Sequence, residues 1–378
     1  MTTGATAMTT GTARPDVLVE GLDVEVFTVP TDRPEADGTI SWSSTTMVAV
    51  HARAGGQAGL GWTYGAAAAA DVVRDVLGGV VVGRDALDVP AAWLAMQQQL
   101  RNAGRPGVAS CALSAVDVAL WDLAARLAGL PLVRLLGRAR ESVPVYGSGG
   151  FTSYDDHTLT SQLSGWVQRE QIPRVKIKIG EAWGQREDRD LDRVLLARET
   201  VGDECELFVD ANGAYPVGQA VRVGRRLDDL GVTWYEEPVS SDDLAGLRHV
   251  REQVRCDVAA GEYAWSLTDA QRMCQAQAVD CLQADATRCG GYTEWRRIAA
   301  VAAAHHLQIS GHCAPALHAP VAAAVTNLRH VEWFHDHVRL ERLLFDGTPS
   351  ATGGRVVPDL SVAGHGMTLR QDADRYRA

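Results

Sequence analysis

The sequence predicts an α/β protein whose main body is a parallel (β/α) barrel, and three observations carry the prediction. Eight short β-rich runs recur between Val143 and Trp333, each followed by a helical stretch, and strands alternating with helices build parallel sheets. No glycine-rich fingerprint follows the first run, as it would in an open, doubly wound sheet that binds a dinucleotide. From the second run onward an ionisable residue stands at or just past the end of every strand, the place where a barrel gathers its site.

Size and composition agree with such a body. At 378 residues, one large domain or two are expected, and 46% hydrophobic with 22% charged residues suits a globular protein with a substantial core. A net charge of −11 argues against a nucleic-acid partner, because phosphate binding needs a basic face. It leaves an anionic substrate open, since a bound cation can reverse the local field. Seven cysteines, an odd number without a C-x-x-C pair, suggest neither a disulfide framework nor a structural zinc site. Buried free thiols in a reducing cytosol are expected. The first residues, 1–15, are rich in Thr, Ala and Gly without an apolar core, and read as a disordered tail and not as a signal peptide. No window is expected to be long and apolar enough to span a membrane, so the protein is expected to be cytoplasmic with no membrane partner.

The elements follow in order. Val17–Val29 and Thr45–Ala52 alternate apolar and other residues, as the two strands of a hairpin do. The polar, turn-rich Pro30–Gly38 between them reads as an exposed loop, and the glycine-rich Gly55–Thr63 as a second loop, leading into Tyr64. Ala66–Leu77 and Ala112–Leu127 read as helices, their alanine runs as packed faces. The barrel strands come next: Val143–Gly147, Arg174–Ile179, Glu206–Asp210, Thr233–Glu236, Asp257–Gly261, Cys281–Ala284, Gln308–Ser310 and His330–Trp333. Gly290-Gly291 reads as a turn before a helix rather than a phosphate loop. The stretch after Glu341, with Gly353 and Gly354 before Val356–Leu360, reads as a return segment that packs on the N-terminal part.

The strand ends carry the chemistry. They present Lys176 and Lys178, then Asp210, Glu236, Glu262, Asp285, His312 and Glu332. A barrel strand is buried on both faces and ought to be apolar throughout, so seven successive ionisable ends are hard to explain as structure. Asp210 and Glu236 are 26 residues apart, as are Glu236 and Glu262, which is one β/α unit each, so their side chains return to the same rim. Three converging carboxylates repel unless a hard cation lies between them, and oxygen-only ligands suit Mg²⁺. Lys176 and Lys178, two apart on a strand, share a face, and an ammonium beside a metal and a second ammonium is expected to have a lowered pKa and to act as a base. Asp285 and His312 come from neighbouring strand ends, and the carboxylate can orient the imidazole.

This set resembles the mandelate-racemase-like subgroup of the enolase superfamily. Arg174-Val-Lys-Ile-Lys-Ile-Gly180 matches its K-x-K strand. Val209-Asp-Ala-Asn-Gly213, Tyr235-Glu-Glu-Pro238 and Ala260-Gly-Glu262 match its three metal-ligand strands, with Glu236 as the ligand of its pair. Asp285 and His312 match its dyad, Glu332 the acid on its last strand, and Ser114–Asp122 the helix before its barrel. The likeness covers about residues 17 to 365. It implies a modified TIM-type barrel (141–340) closed by an α+β capping domain made from 16–140 and the returning 341–378, and a homo-oligomer.

The resemblance also implies a reaction. Mg²⁺ on Asp210, Glu236 and Glu262 would hold one carboxylate oxygen of a hydroxy acid, with Lys176 near the other and a protonated Glu332 donating to it. Lys178 and His312 would face opposite sides of the α-carbon. Two bases suit racemisation, epimerisation or loss of a β-hydroxyl, and members with both are mostly dehydratases of acid sugars, so an acid-sugar dehydratase is expected, with a racemase or epimerase as the alternative and a non-catalytic barrel as a remote one. Cycloisomerisation of the muconate type is disfavoured, because that subgroup has a lysine where Asp285-Ala-Thr-Arg288 stands. For substrate contacts, Asn212, Arg288, Trp62 and Tyr64 are the candidates, and Asp32, Arg33, Glu35 and Asp37 of the first loop are expected to meet hydroxyls. Asn212 can equally cap a helix, and Arg288 can equally pair with a carboxylate. His305 and His306 read as a solvated helix end, His335 and His337 as second-layer or surface groups, and Cys313 as no nucleophile, having no base of its own.

Overall fold

A computed structural model describes residues 16–378; the expected tail, 1–15, lies outside them. Three antiparallel strands open the chain, β1 (Gly21–Ala36), β2 (Ser41–Ala54) and β3 (Gln57–Tyr64). The expected hairpin is present, with Val26 opposite Val48 and Val24 opposite Val50. Strand alternation gives the sheet two buried faces. Met47 and Ala49 turn toward the core that runs into the barrel, while Val48, Val50 and Ala52 turn onto the helices of the cap.

Both loop readings need correction. Gly55–Thr63 is mostly strand, because its glycines serve packing and not turning. A Cβ on Gly59 would stand 2.3 Å from the carbonyl oxygen of Ala119, and one on Gly61 2.2 Å from that of Ala115, so only glycine lets β3 lie on the helix Val108–Ala128. Pro30–Gly38 is strand as far as Ala36, with an irregularity between Pro30 and Glu35. Asp32 and Arg33 are exposed as expected, but Glu35 is wholly buried, its Oε2 accepting from Trp42 Nε1 at 2.8 Å and its Oε1 without a partner.

Burial, and after it the Asp336 carboxylate, push the Glu35 carboxyl from 4.5 up to about 9. The folded protein therefore keeps a proton that the unfolded chain releases near pH 4.5. Stability is full below that pH and is lost as pH rises toward about 9. Glu35→Gln keeps the shape and needs no proton, so its stability is expected to fall less across that window. Thermal melts of both proteins at stepped pH check this; parallel curves would remove Glu35 as the cause.

Helices complete the cap. The expected helix at Ala66–Leu77 appears as contiguous turns through Ala68–Asp71, Val72–Leu77 and Gly78–Val81. Val108–Ala128 overturns one expectation, since its 21 residues are long and apolar enough to cross a membrane. The apolarity has another cause: 83% of its most apolar window is buried inside the protein. One edge of this helix docks on the barrel. Ser114 Oγ accepts from Gly290 N at 2.8 Å, Asp117 caps Thr293 through its N at 3.0 Å and its Oγ1 at 2.6 Å, and Trp121 Nε1 donates to Thr293 Oγ1 at 2.9 Å. Gly290-Gly291 is thus the helix-opening turn that was expected, and a Cβ on Gly291 would meet Asp117 at 2.3 Å.

Eight parallel strands form the closed barrel: β4 (Val143–Gly149), β5 (Arg174–Lys178), β6 (Glu206–Asp210), β7 (Val232–Glu236), β8 (Asp257–Ala260), β9 (Cys281–Ala284), β10 (Gln308–Gly311) and β11 (Leu328–Phe334), the last pairing back onto the first. Tyr146, Phe208, Trp234, Ala259 and Cys281 fill its interior below the rim, with the His330 ring 5.1 Å from that of Trp234. The chain then returns. Arg355–Val356 pairs with β4, Leu132 N donates to Gly364 O, His365 N to buried Asp122, and Ala378 N to Val26 O of β1. The architecture is a modified TIM barrel with an N-terminal cap built on an antiparallel sheet. All seven cysteines are free and buried.

Candidate active site

Val175 and Ile177 of β5, Leu207 to Val209 of β6 and Val258 to Ala260 of β8 are buried and apolar, and ionisable residues gather toward the end where the barrel opens. In the parallel register Lys178 of β5 stands beside Asp210 of β6, and Asp210 beside Glu236 of β7. Gly261, at φ +136°, turns the chain past β8 where a Cβ would lie 2.1 Å from the carbonyl oxygen of Gln283, and Glu262 follows it onto the rim. Donor atoms of Asp210, Glu236 and Glu262 lie within 4.8 Å of one another, all three buried. Nζ of Lys176 sits 2.6 Å from Glu236 Oε1, 2.8 Å from Glu332 Oε1 and 3.6 Å from Asp210 Oδ2, and Lys178 Nζ hydrogen-bonds Asp210.

These contacts set how the protein's own groups act on the two lysines. Burial lowers the Lys178 ammonium and Lys176 lowers it again, but Asp210, Glu332 and Glu236 raise it further, so its pKa lies above the ordinary lysine value. Lys176 is raised in the same way by Glu236, Glu332 and Asp210 against the effect of burial. In this arrangement the carboxylates outweigh the like-charge neighbour. For Glu332, which the resemblance implies as a donor if protonated, the neighbours favour the charged form. Burial raises its carboxyl, yet Lys176 and His312 hold it well below the usual range. Glu236 is raised to about 7, by burial first, against the pull of Lys176.

Across the rim, Nδ1 of His312 pairs with Asp285 Oδ2 at 2.9 Å, as expected from neighbouring strands. Nε2 of the same ring lies 3.0 Å from Glu262 Oε2. Burial lowers His312, but Cys313, Glu262 and Asp285 hold it above the ordinary histidine value. Burial would raise the Asp285 carboxyl, but its hydrogen bond to His312 and the charges of His312 and Arg288 hold it well below the usual range. Arg288 reaches Glu262 Oε1 at 3.4 Å and Asp285 Oδ2 at 3.5 Å, which gives the carboxylate reading its partners, and it also stands on the cavity wall, as the substrate reading needs. Glu332 accepts from Ser148 Oγ at 2.6 Å and from Cys313 N at 3.0 Å.

A cavity of about 460 Å³ opens above these groups, and Lys178, Asn212, Glu262, Arg288 and His312 line it. A larger cavity of about 590 Å³ lies outside the barrel mouth, between Asp156–Ser164 and His335–Leu344, and holds none of the rim carboxylates. The chemistry therefore assigns the smaller one. The cap closes it with Asp37, Ile40, Trp42, Ser44, Thr45 and Tyr64. Of the four charged loop residues expected to meet hydroxyls, only Asp37 lines it. Asp32 and Arg33 face the larger cavity and Glu35 is buried. Trp62 is a further correction. Two residues back along β3, it packs 4.6 Å from Phe345 and 5.8 Å from His365, joining cap to returning segment, and only Tyr64 at the strand end reaches the mouth. Tyr64 stacks on His337 at 3.5 Å, which places that histidine, with Tyr263, Phe334 and Asp336, on the wall. Trp42 and Tyr263 carried no signal in sequence, because a lone aromatic beside a strand end is more often packing.

The donor set fits a hard dication. Asp210, Glu236 and Glu262 offer only oxygen, Glu262 Oε2 lacks a hydrogen-bond partner despite its closeness to His312, and Asn212 Oδ1 is buried without one. Asn212 N, at φ +46°, donates to Asp210 Oδ1 at 2.8 Å and so orients that carboxylate. Mg²⁺ binds through a few carboxylates and keeps positions open for substrate oxygens.

Residues 22–137 match the family described as mandelate racemase / muconate lactonizing enzyme, N-terminal domain, and residues 158–373 the enolase C-terminal domain-like family. The 3,6-anhydro-α-L-galactonate cycloisomerase of Streptomyces coelicolor is 34% identical over 324 residues, 83% of this chain and 86% of that protein. The L-talarate/galactarate dehydratase of Salmonella typhimurium is 32% identical over 304 residues, 78% of this chain and 72% of that protein. Its structure with Mg and L-lyxarohydroxamate superimposes with a TM-score of 0.88 at 26% identity, over 100% of this chain and 97% of that one. A mandelate racemase/muconate lactonizing enzyme-like protein from Rubrobacter xylanophilus superimposes with a TM-score of 0.92 at 49% identity, over 96% of this chain and 100% of that one.

Proposed function

The chain belongs to the mandelate racemase and muconate lactonizing enzyme family of the enolase superfamily, and from that premise we propose that it dehydrates an acid sugar to a 2-keto-3-deoxy acid with Mg²⁺ as cofactor. One observation carries the reading. Three buried carboxylates within 4.8 Å of one another adjoin a cavity walled by two proton-transfer groups, Lys178 and His312. Dehydratases among the relatives and a magnesium-bound structure support it.

The proton α to a carboxylate is very weakly acidic, so the barrier lies in the charge that gathers on the carboxylate when that proton leaves. Asp210, Glu236 and Glu262 would hold the Mg²⁺, which when bound would supply the Lewis acidity that neutralises this charge. Lys176, buried and cationic, sits where it can face a second carboxylate oxygen, and Glu332 holds it there. One of Lys178 and His312 takes the α-proton. The other, in its acid form, gives a proton to the β-hydroxyl, which leaves as water, and the enol then gains a proton from solvent at C3 and loses its hydroxyl proton to become the keto acid. Asp285 fixes the His312 ring with Nε2 toward the cavity side. Lys178 Nζ hydrogen-bonds Asp210, one of the three carboxylates that would hold the metal, and so stands at the rim beside the place where the substrate carboxylate would bind.

Isomerisation is the second reading, and two bases serve it equally well. The cycloisomerase relatives also bring that reaction type back into consideration, although the lysine of the muconate subgroup is absent from Asp285-Ala-Thr-Arg288. Ser44, Thr45, Asp336 and His337 on the wall suit substrate hydroxyls, and Trp42, Tyr64, Tyr263 and Phe334 give the same wall an aromatic part. An acid-sugar library incubated with the Mg²⁺ enzyme is expected to yield a 2-keto-3-deoxy product from at least one member. Recovery of epimers or ring-opened lactones alone would replace dehydration with isomerisation.

A further inference from the structure

Cys313 is left without a role in that chemistry, yet it is placed unlike the other six cysteines. It and Ala314 both adopt left-handed backbone, at φ +51° and φ +40°, just past β10. Two successive non-glycine residues in this region cost conformational energy and call for a reason. The turn leaves Sγ of Cys313 3.3 Å from His312 Nε2 and 3.3 Å from Glu332 Oε2, while those two atoms are 3.7 Å apart. Each of the three residues is almost wholly buried.

We propose that His312, Cys313 and Glu332 form a binding site for a soft divalent cation, Zn²⁺ above all, different in its ligands from the Mg²⁺ carboxylates, of which Glu262 Oε2 adjoins it 3.0 Å from His312 Nε2. Nitrogen, sulfur and carboxylate oxygen are the ligands zinc takes, whereas a thiol has nothing to offer Mg²⁺. The separations among the three donor atoms match those around a zinc ion. Tetrahedral zinc with ordinary bond lengths sets its sulfur about 3.5 Å from a nitrogen or oxygen ligand, and nitrogen and oxygen roughly 3.4 Å apart. The observed triangle, 3.3, 3.3 and 3.7 Å, departs from that by no more than a few tenths of an ångström. The outer layer is also in place. Asp285 holds Nδ1 of His312, which leaves Nε2 as the ligating atom, and Ser148 and Lys176 hold the other oxygen of Glu332. Since His312 and Cys313 both line the cavity, the fourth position opens toward it. Binding forms Zn–N, Zn–S and Zn–O bonds and releases to solvent the thiol proton and the proton that the charged imidazole carries on Nε2. The bound ion occupies the imidazole nitrogen that the proposed reaction uses, so zinc inhibits; that consequence, unlike the site itself, rests on the dehydratase reading.

The test uses the full chain saturated with Mg²⁺ and titrated with Zn²⁺, and in parallel with Co²⁺ as a spectroscopic substitute. The expected result is one further equivalent of zinc, a thiolate-to-cobalt charge-transfer band, and zinc inhibition that more Mg²⁺ does not relieve. In Cys313→Ser the band is expected to vanish and zinc affinity to fall on the order of 100-fold, with inhibition scored as the ratio of activities with and without zinc within each protein. Cys313→Ala serves if the serine variant does not fold. No cobalt band in the wild-type chain, or a band that survives both variants, overturns the site, as does inhibition fully relieved by Mg²⁺. A band lost with Cys313, beside turnover that zinc leaves untouched, keeps the site and instead removes His312 from the proposed reaction.

Discussion

Glu236→Gln is expected to lower turnover about a thousandfold and to weaken Mg²⁺ binding measurably by calorimetry. The variant keeps shape and volume but removes one of three negative charges whose donor atoms lie within 4.8 Å of one another. Lewis-acid stabilisation of the developing charge supplies several kcal/mol, and about 4 kcal/mol corresponds to roughly three powers of ten in rate. Because Glu236 also pairs with buried Lys176 at 2.6 Å, thermal melts belong beside the kinetics, to separate lost metal from a loosened barrel. Exhaustive chelation is expected to abolish activity and readdition of Mg²⁺ to restore it. Full turnover after chelation would end the metal-dependent reading.

His312→Asn and Lys178→Met are each expected to abolish dehydration, and hydrogen exchange separates their roles. The variant that loses dehydration but still exchanges the substrate α-proton with solvent deuterium has lost the acid and kept the base. If that is His312→Asn, Lys178 abstracts the proton; if it is Lys178→Met, the imidazole does. Losing a positioned acid or base costs roughly 10²- to 10⁴-fold. The Asp285 contact at 2.9 Å makes a finer point, since Asp285→Asn leaves the ring in place but removes the charge that steadies its protonated form. It is expected to slow turnover less than the loss of His312 itself. Full activity in both base variants on the true substrate would dismiss the two-base mechanism.

The barrel was legible because its strands are short, apolar and regularly spaced, and because a parallel strand is buried on both faces. The strands expected from sequence overlap the eight observed ones, and the ends of β5 to β11 differ by no more than a few residues. The same spacing brought Asp210, Glu236 and Glu262 to one rim, and Asp285 beside His312, since one β/α unit returns the chain to the same end of the barrel.

What failed depends on partners far apart in sequence. Gly59 and Gly61 look like loop residues until the backbone of Val108–Ala128 lies across them. Glu35 looks solvated in Pro30–Gly38, yet Trp42 and Asp336 enclose it. Trp62 and Tyr64 share a face of one strand, and only the position of the returning segment, with Phe345 and His365, decides that the first is core and the second is wall. Charge states were equally out of reach. A pKa is a sum over distances, so whether Lys178 is raised by Asp210 or lowered by Lys176 could not be settled before both were placed in space. Local pattern and repeat length determined the elements, the barrel and the identity of its rim residues, because those depend on neighbours along the chain. Tertiary structure alone decided which side chains face the cavity and which protons they hold, because those depend on neighbours across it.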